Sequence, residues 1–249
     1  PLAQSFIALG LSQAARDRLN QLTSEPAKQT EQGAAALTEL YSLSLSGLSA
    51  RHEGALSGPQ QVDLQLKAGD VLLLSGPSGC GKSTLLEVLA GEPLDYSGER
   101  LLNGKAYEHW QWRSVIGYLP QQLDIFDMTL AENLRLGQPA ATEQQLWAVL
   151  EDVALADWAR ARPAQLNTTL GEYGAQVSGG QARRIALARL LLAQRPLLLL
   201  DEPFAGLDAA TREQVLAALL RRQASGMLVI VSHQPLELEK AQRLQLTMN

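Results

Sequence analysis

One glycine-rich segment constrains what this chain can fold into more than any other feature. It matches the pattern G-x-x-x-x-G-K-[ST] and consists of Gly76, Pro77, Ser78, Gly79, Cys80, Gly81, Lys82, Ser83 and Thr84. An apolar run of strand type precedes it at residues 70–75, and a helical run follows it at residues 85–90. Because this order of strand, loop and helix is the context in which a P-loop binds phosphate, the sequence predicts a nucleoside triphosphate site rather than a chance match.

The residue types in this loop suit a polyphosphate. Glycines let successive backbone N–H groups point into one hollow, and the following helix N-terminus favours an anion there. Lys82 adds a positive charge for the β- and γ-phosphates, Ser83 offers a hydroxyl to Mg²⁺, and Thr84 offers another to the phosphates. Cys80 occupies a variable position of the loop, so a catalytic thiol is the less favoured interpretation.

Composition narrows the class of protein. The chain has 249 residues and is 46% hydrophobic, which is enough for one large domain or two small ones. Its net charge of −5 argues against a nucleic-acid partner. With Cys80 as the sole cysteine there is no disulfide framework, which fits a reducing compartment. We see neither a membrane span nor a signal peptide, and the start at Pro1 leads us to expect a piece of a longer protein or a processed product.

The pattern of the chain predicts an α/β fold after an N-terminal extension. We expect a helix over residues 1–23, either a soluble amphipathic helix or the end of a membrane helix, and a linker over residues 24–36. Domain residues 37–249 begin with an antiparallel β-layer. Short buried strands and helices then alternate, which indicates a parallel sheet. We expect these strands at 115–119, 197–200 and 227–232, and helices at 181–193 and 209–222. Between residue 130 and about residue 159 we expect three successive helical segments, LAENLRL, TEQQLWAVLEDV and ALADWARA.

Two acids follow the buried strand at residues 197–200. Parallel strands bring their carboxyl ends to one edge of the sheet, where ligands bind. Asp201 there suits Mg²⁺ beside a P-loop, and Glu202 suits proton transfer from an attacking water. A helix N-cap pair is the alternative, since Pro203 comes next.

A second glycine-rich segment precedes the helix at residues 181–193. It contains Ser178, Gly179, Gly180 and Gln181, so it is another candidate anion site at a helix N-terminus. With the P-loop and residues 197–203 in this order, the chain resembles the nucleotide-binding domain of ATP-binding cassette (ABC) proteins over residues 37–249. The resemblance implies a P-loop NTPase of ABC type. Such a domain has a mixed parallel core sheet, an antiparallel β-subdomain and a helical signature subdomain, here at about residues 126–180.

The same resemblance implies an ATPase that works as a pair. Gln121 corresponds to the glutamine that senses Mg²⁺ and water, so Ser83, Gln121 and Asp201 form the expected metal set. Glu202, His233 and Gln121 form the expected catalytic set, with His233 on the γ-phosphate. Residues 178–181 match the signature that contacts ATP held by the opposite subunit. Asp208 lies in the loop that crosses the dimer interface. The expected partner is a second such domain, in a homodimer or, preferably, a heterodimer.

One position departs from the family pattern. The family usually places an aromatic residue before the P-loop to stack on adenine, whereas Arg51 or His52 occupies that place here. Either side chain can stack on a purine, Arg51 through a cation–π contact. We keep both as candidate adenine contacts.

Further segments favour an exporter. Residues 171–174 are similar to an acidic-glycine segment of exporters, and residues 1–23 resemble the helix that joins an exporter's membrane domain to its ATPase. The implied location is the cytoplasmic face of the bacterial inner membrane, with the transmembrane domain missing from this chain. Among exporters the chain is most similar to the CydC-type half of heterodimeric cysteine/glutathione exporters.

Three alternatives remain beside that exporter. A lipid or multidrug exporter would share the same motifs. A soluble non-transport ABC ATPase carries long coiled coils between P-loop and signature, for which the segment from Lys82 to Ser178 leaves no room. A catalytically inactive regulatory domain is disfavoured because Lys82, Asp201, Glu202 and the signature are intact.

Overall fold

The computed structural model describes residues 34–171 and 174–247. The helix expected at residues 1–23 and nearly all of the expected linker lie outside the described residues, as do Glu172 and Tyr173. The described residues form two β-sheets, with helices packed against them.

The antiparallel sheet confirms the β-layer expected from the sequence. It contains β1 (Ser42–Ala50), β2 (Val62–Lys67), β4 (Tyr96–Leu102) and β5 (Lys105–Ala106), in the spatial order β2-β1-β4-β5. Along β1, leucines alternate with small polar residues, so one face is buried. The register with both neighbouring strands shifts around Gly47, whose φ of 56° fits a β-bulge.

The core sheet is parallel in all of its described pairings. It contains β3 (Val71–Ser75), β6 (Ile116–Leu119), β7 (Leu197–Asp201), β8 (Met227–Val231) and β9 (Gln242–Gln245), in the order β6-β7-β8-β3-β9. Every residue of β7 and β8 is buried, which explains their continuous apolar runs. The sequence did not predict β9, because this edge strand is polar and mostly exposed.

Helices cover both faces of the parallel sheet. Alternate residues of β7 face two separate cores: Leu198 and Leu200 lie in one, and Leu197 and Leu199 in the other. The first core is built with α5 (Gly179–Ala193) and α6 (Ala209–Arg222), and the second with α1 (Lys82–Ala90) and the antiparallel sheet. The α/β architecture of the sequence analysis is therefore confirmed.

The three successive helical segments expected over residues 130–159 form three short helices. They are α2 (Leu130–Arg135), α3 (Glu143–Asp152) and α4 (Ala156–Arg160). Thr129 caps α2 in a capping box with Glu132, and Thr142 caps α3 in another with Gln145. Within the described ranges, no helix is long and apolar enough to cross a membrane.

Candidate active site

The P-loop connects the end of β3 to the start of α1. Gly81 immediately precedes α1 with φ of 96°, and a Cβ there would lie 2.4 Å from the Cδ of Pro59. Gly76 follows β3 with φ of 147°, and a Cβ there would lie 2.5 Å from the carbonyl oxygen of Leu246. Both positions therefore require glycine, for backbone conformation and for space.

Lys82 lies inside the curve of this loop. Its side chain is almost completely buried, and its Nζ donates hydrogen bonds to the carbonyl oxygens of Gly76 and Pro77, each at 2.8 Å. Cys80 is 1% exposed, with its Sγ 3.9 Å from the same Nζ. The Cys80 thiol is thus packed within the loop, and the Lys82 ammonium group places a positive charge at the centre of the loop.

The carboxyl ends of two further core strands bring predicted residues to the P-loop. Gln121 follows β6, and its Nε2 lies 3.5 Å from the Oγ of Ser83. A cavity of about 260 Å³ lies at this edge of the sheet. Its lining includes Ser78, Gly79, Gly81, Lys82, Ser83, Thr84, Gln121 and His233. This arrangement follows from the parallel topology, which places the loops after β3, β6 and β8 at one edge of the sheet.

Asp201, the last residue of β7, is fully buried. Neither of its carboxylate oxygens has a hydrogen-bond partner among the described residues. A buried carboxylate without partners is costly unless it is paired or binds a cation. Hard cations such as Mg²⁺ take oxygen ligands, so Asp201 and the Ser83 hydroxyl fit a magnesium ion chemically.

Glu202 and His233 lie next to each other. The Oε2 of Glu202 accepts a hydrogen bond from the backbone N–H of His233 at 3.3 Å, and its Oε1 lies 3.5 Å from the ring Nε2. Glu202 has φ of 52°, a left-handed conformation that costs a non-glycine residue about 1–2 kcal/mol. Its own N–H donates to the carbonyl oxygen of Val231 at 3.0 Å, which ties this backbone to β8. The strained backbone directs the carboxylate toward the loop that carries His233.

Arg183 was missed by sequence reasoning. It lies on α5, and its guanidinium donates hydrogen bonds to the carbonyl oxygens of Asp201, Glu202 and Gln121. Partial burial lowers the pKa of Arg183, while the nearby carboxylates of Asp201 and Glu202 act in the opposite direction. No pattern in the sequence distinguishes this arginine from Arg184 beside it.

The expected signature residues lie apart from the cavity at the P-loop, whose lining includes none of residues 178–181. Ser178 caps α5: its Oγ accepts the N–H of Gln181 at 3.2 Å, and the Gln181 Oε1 accepts the N–H of Ser178 at 2.9 Å. A Cβ at Gly179 would meet no described atom within 4 Å. The segment therefore presents a capped helix N-terminus with open space in front of it.

Asp208, the expected interface residue, is exposed and caps α6. Its Oδ1 accepts the backbone N–H of Thr211 at 3.0 Å, and its Oδ2 accepts the Thr211 hydroxyl at 2.7 Å. These hydrogen bonds from Thr211 lower the pKa of Asp208. The carboxylate thus stabilises the start of α6 in this structure.

The structure does not bring Arg51 or His52 to the cavity wall. Both side chains are exposed, and the Nε2 of His52 lies 2.6 Å from the Oε2 of Glu87 on α1. Leu56, 98% exposed, lines the cavity instead. A single exposed leucine in a turn gives no sequence signal, which is why it was not a candidate.

Comparisons with known proteins agree with this arrangement. A family model described as ABC transporter matches residues 59–205. Over 98% of its length the chain is 34% identical to the glutathione/L-cysteine transport system ATP-binding/permease protein CydC of Escherichia coli (strain K12), of which it covers 43%. Over 93% of its length it is 32% identical to the multidrug resistance ABC transporter ATP-binding and permease protein of Lactococcus lactis subsp. lactis (strain IL1403), of which it covers 40%.

A solved structure of a bacterial Atm1-family ABC exporter with ATP bound is similar as well. The TM-score is 0.77 at 25% identity, over 92% of this chain and 40% of that one. The chain therefore spans less than half the length of the proteins that it matches.

Proposed function

The chain belongs to the ABC transporter family, and we propose that its ATPase powers an exporter of cysteine- or glutathione-type thiols across the bacterial inner membrane. One observation carries the proposal for the site: Lys82, Gln121 and His233 line one cavity at the carboxyl edge of the parallel sheet, where β7 ends in Asp201 and Glu202 contacts His233. The P-loop and the two acids there are the parts that ATP hydrolysis requires.

Binding uses groups that the fold already holds in place. Lys82 exchanges its bonds to the carbonyls of Gly76 and Pro77 for the β- and γ-phosphates. Backbone N–H groups at the start of α1 bind the remaining phosphate oxygens. When bound, Mg²⁺ would be held by Ser83 and Asp201 with Gln121 nearby, and it would neutralise charge on the β- and γ-phosphate oxygens.

The chemical step is the attack of water on the γ-phosphorus. As the new P–O bond forms, the bond to the oxygen that bridges the β- and γ-phosphates breaks, leaving ADP and inorganic phosphate. Glu202 orients the water and accepts its proton, a role worth about 10²- to 10⁴-fold in rate. His233, next to Glu202, donates a hydrogen bond to the γ-phosphate as negative charge moves to the leaving group.

The site is completed by a second domain. Residues 178–181 do not line this chain's cavity, and the space before Gly179 is open. A helix N-terminus of this kind favours an anion, so we propose that it binds the γ-phosphate of ATP held by the partner. The partner is a second ABC nucleotide-binding domain, and we favour a heterodimer. Asp208, exposed at the start of α6, lies at the proposed interface.

The larger assembly is proposed from the relatives. Two of them are named ATP-binding/permease proteins, and this chain spans less than half of each. We propose that residues 1–36 connect the domain at residues 37–249 to a transmembrane domain, with the ATPase on the cytoplasmic face. The thiol substrate rests on the similarity to CydC. Multidrug export is the second candidate, because the similarity to the Lactococcus lactis protein is nearly as high.

The test uses the full-length protein and its partner reconstituted in inside-out vesicles. We expect ATP-dependent uptake of radiolabelled cysteine or glutathione, and no ATP-dependent uptake of a fluorescent multidrug substrate. Lys82→Ala should abolish both nucleotide binding and uptake. Uptake of the dye but not of thiols would refute the thiol substrate and favour multidrug export. ATP hydrolysis without transport of either would refute both candidates.

A further inference from the structure

We propose that Arg183 is a positioning residue for ATP hydrolysis. Its guanidinium holds the main chains of Glu202 and Gln121 in fixed positions relative to each other and to α5. This inference rests on the proposed function, which assigns Glu202 and Gln121 to the reaction. It concerns a residue that binds neither nucleotide nor metal and acts through the groups that do.

The contacts of Arg183 join two separate loops. Its Nη1 donates to the carbonyl oxygen of Asp201 at 2.8 Å and to that of Glu202 at 3.1 Å. Its Nη2 donates to the carbonyl oxygen of Gln121 at 2.8 Å. Gln121 follows β6, whereas Asp201 ends β7, so one rigid, planar cation bridges the ends of neighbouring strands. A lysine is a point charge on a flexible stem and cannot reproduce this fork.

The groups that Arg183 binds determine where reactive side chains lie. Glu202 has φ of 52°, and the direction of its carboxylate depends on keeping that unusual backbone conformation. Gln121 reaches Ser83 with its side chain while Arg183 holds its carbonyl oxygen. Arg183 itself is absent from the lining of the nucleotide cavity. Its effect must therefore pass through Glu202 and Gln121.

The position of Arg183 on α5 adds a second consequence. Ser178 caps the same helix, and five residues of helix span only about 7.5 Å, so the signature end and Arg183 move together. The neighbouring Arg184 binds other groups, the carbonyl oxygens of Gly180 and Ala154. Of these two arginines, Arg183 is the one that connects the signature helix to this chain's own Glu202.

The experiment compares Arg183→Met, Arg183→Lys and a control, Arg222→Met, in the full-length protein with its partner. Arg222 lies on α6, and its Nε binds Asp152 at 2.5 Å, away from the nucleotide cavity. The measurements are kcat and KM for ATP, the Kd of a fluorescent ATP analogue, and the melting temperature. We expect Arg183→Met to lower kcat about 10- to 100-fold through misplacement of the catalytic groups. The Kd should change less than about twofold, because the P-loop is untouched.

Further comparisons separate positioning from general stability. Arg183→Lys should keep an intermediate kcat with an unchanged melting temperature, and Arg222→Met should keep the wild-type kcat. In a Glu202→Gln background, Arg183→Met should lower the residual rate little further, because both changes remove the same function.

Three results would overturn the role of Arg183: a wild-type kcat in Arg183→Met, an equal loss in Arg222→Met, or a full additional loss on top of Glu202→Gln. Failure of the proposed function is a different result. In that case the wild-type complex hydrolyses no ATP, or Lys82→Ala hydrolyses it as fast as wild type.

Discussion

Asn133 provides the sharpest stability prediction, because its buried side chain joins the segment after Gln121 to α2. Asn133 is fully buried, its Oδ1 accepts the backbone N–H of Phe126 at 3.1 Å, and it also accepts a hydrogen bond from Arg189. Its Nδ2 donates to the carbonyl oxygens of Phe126, Met128 and Thr129. One amide group thus orders the turn that leads into the helical region.

The stability that Asn133→Ala loses depends on which hydrogen-bond partners of Asn133 have no other partner to replace it. The three carbonyl oxygens each accept another backbone N–H, from Met128, Leu170 and Asn133 itself. The N–H of Phe126 loses its acceptor, and one donor of Arg189 is unpaired. An orphaned N–H costs about 1–3 kcal/mol, and a hydrogen bond from a charged group contributes about as much. Since Phe126 is partly exposed, we expect a total loss of about 2–4 kcal/mol.

The assay is urea unfolding followed by tryptophan fluorescence. Asn133→Leu nearly preserves volume, so it should lose at least as much stability as Asn133→Ala if the hydrogen bonds matter. Asn103→Gly is a matched control: Asn103 also binds three backbone groups, with φ of 51°, but it is only half-buried. Water replaces its partners, so we expect a loss of about 1 kcal/mol there. An Asn133→Leu variant as stable as wild type would refute the reasoning.

Two other predictions concern nucleotide contact and pH. Leu56→Ala should weaken ATP binding more than Arg51→Ala or His52→Ala, because Leu56 lines the cavity; titration with a fluorescent ATP analogue checks this, and equal affinities would mean that the base binds elsewhere. The pKa of Asp208 is lowered, so its carboxylate stabilises the folded state at pH values above the ordinary pKa of 3.8. This stabilisation is lost as the pH falls through the lowered pKa. Urea unfolding between about pH 5 and pH 3 should therefore show a steeper loss in wild type than in Asp208→Asn; parallel curves would contradict it.

The sequence was sufficient to predict the location of those site residues whose position depends only on the topology of the sheet. Once parallel strands were inferred, the loops after them had to meet at one edge, and Gln121 and His233 do lie with the P-loop there. The boundaries of the short helices were also present in the sequence, since Thr129 with Glu132 and Thr142 with Gln145 form capping boxes. These caps agree with the three successive helical segments expected over residues 130–159.

The rest depends on contacts between residues distant in sequence. Arg183 and Arg184 look alike in the chain, and only the fold shows that one reaches Gln121, 62 positions away, and the other Ala154. Likewise, β9 pairs with β3 in parallel, but its mostly polar and exposed sequence gives no strand pattern. Leu56 lines the cavity because of where its loop folds, not because of its neighbours in sequence.

The central claim is that this chain holds half of an ATP site and that a second domain closes it. Light scattering of the Glu202→Gln domain, alone and mixed with its partner's domain, tests that claim most directly. With Mg²⁺ and ATP we predict a doubled mass in the mixture and turnover at least about 100-fold below wild type, because binding remains while proton transfer is lost. A mass of one domain under every condition, together with wild-type turnover, would contradict the account.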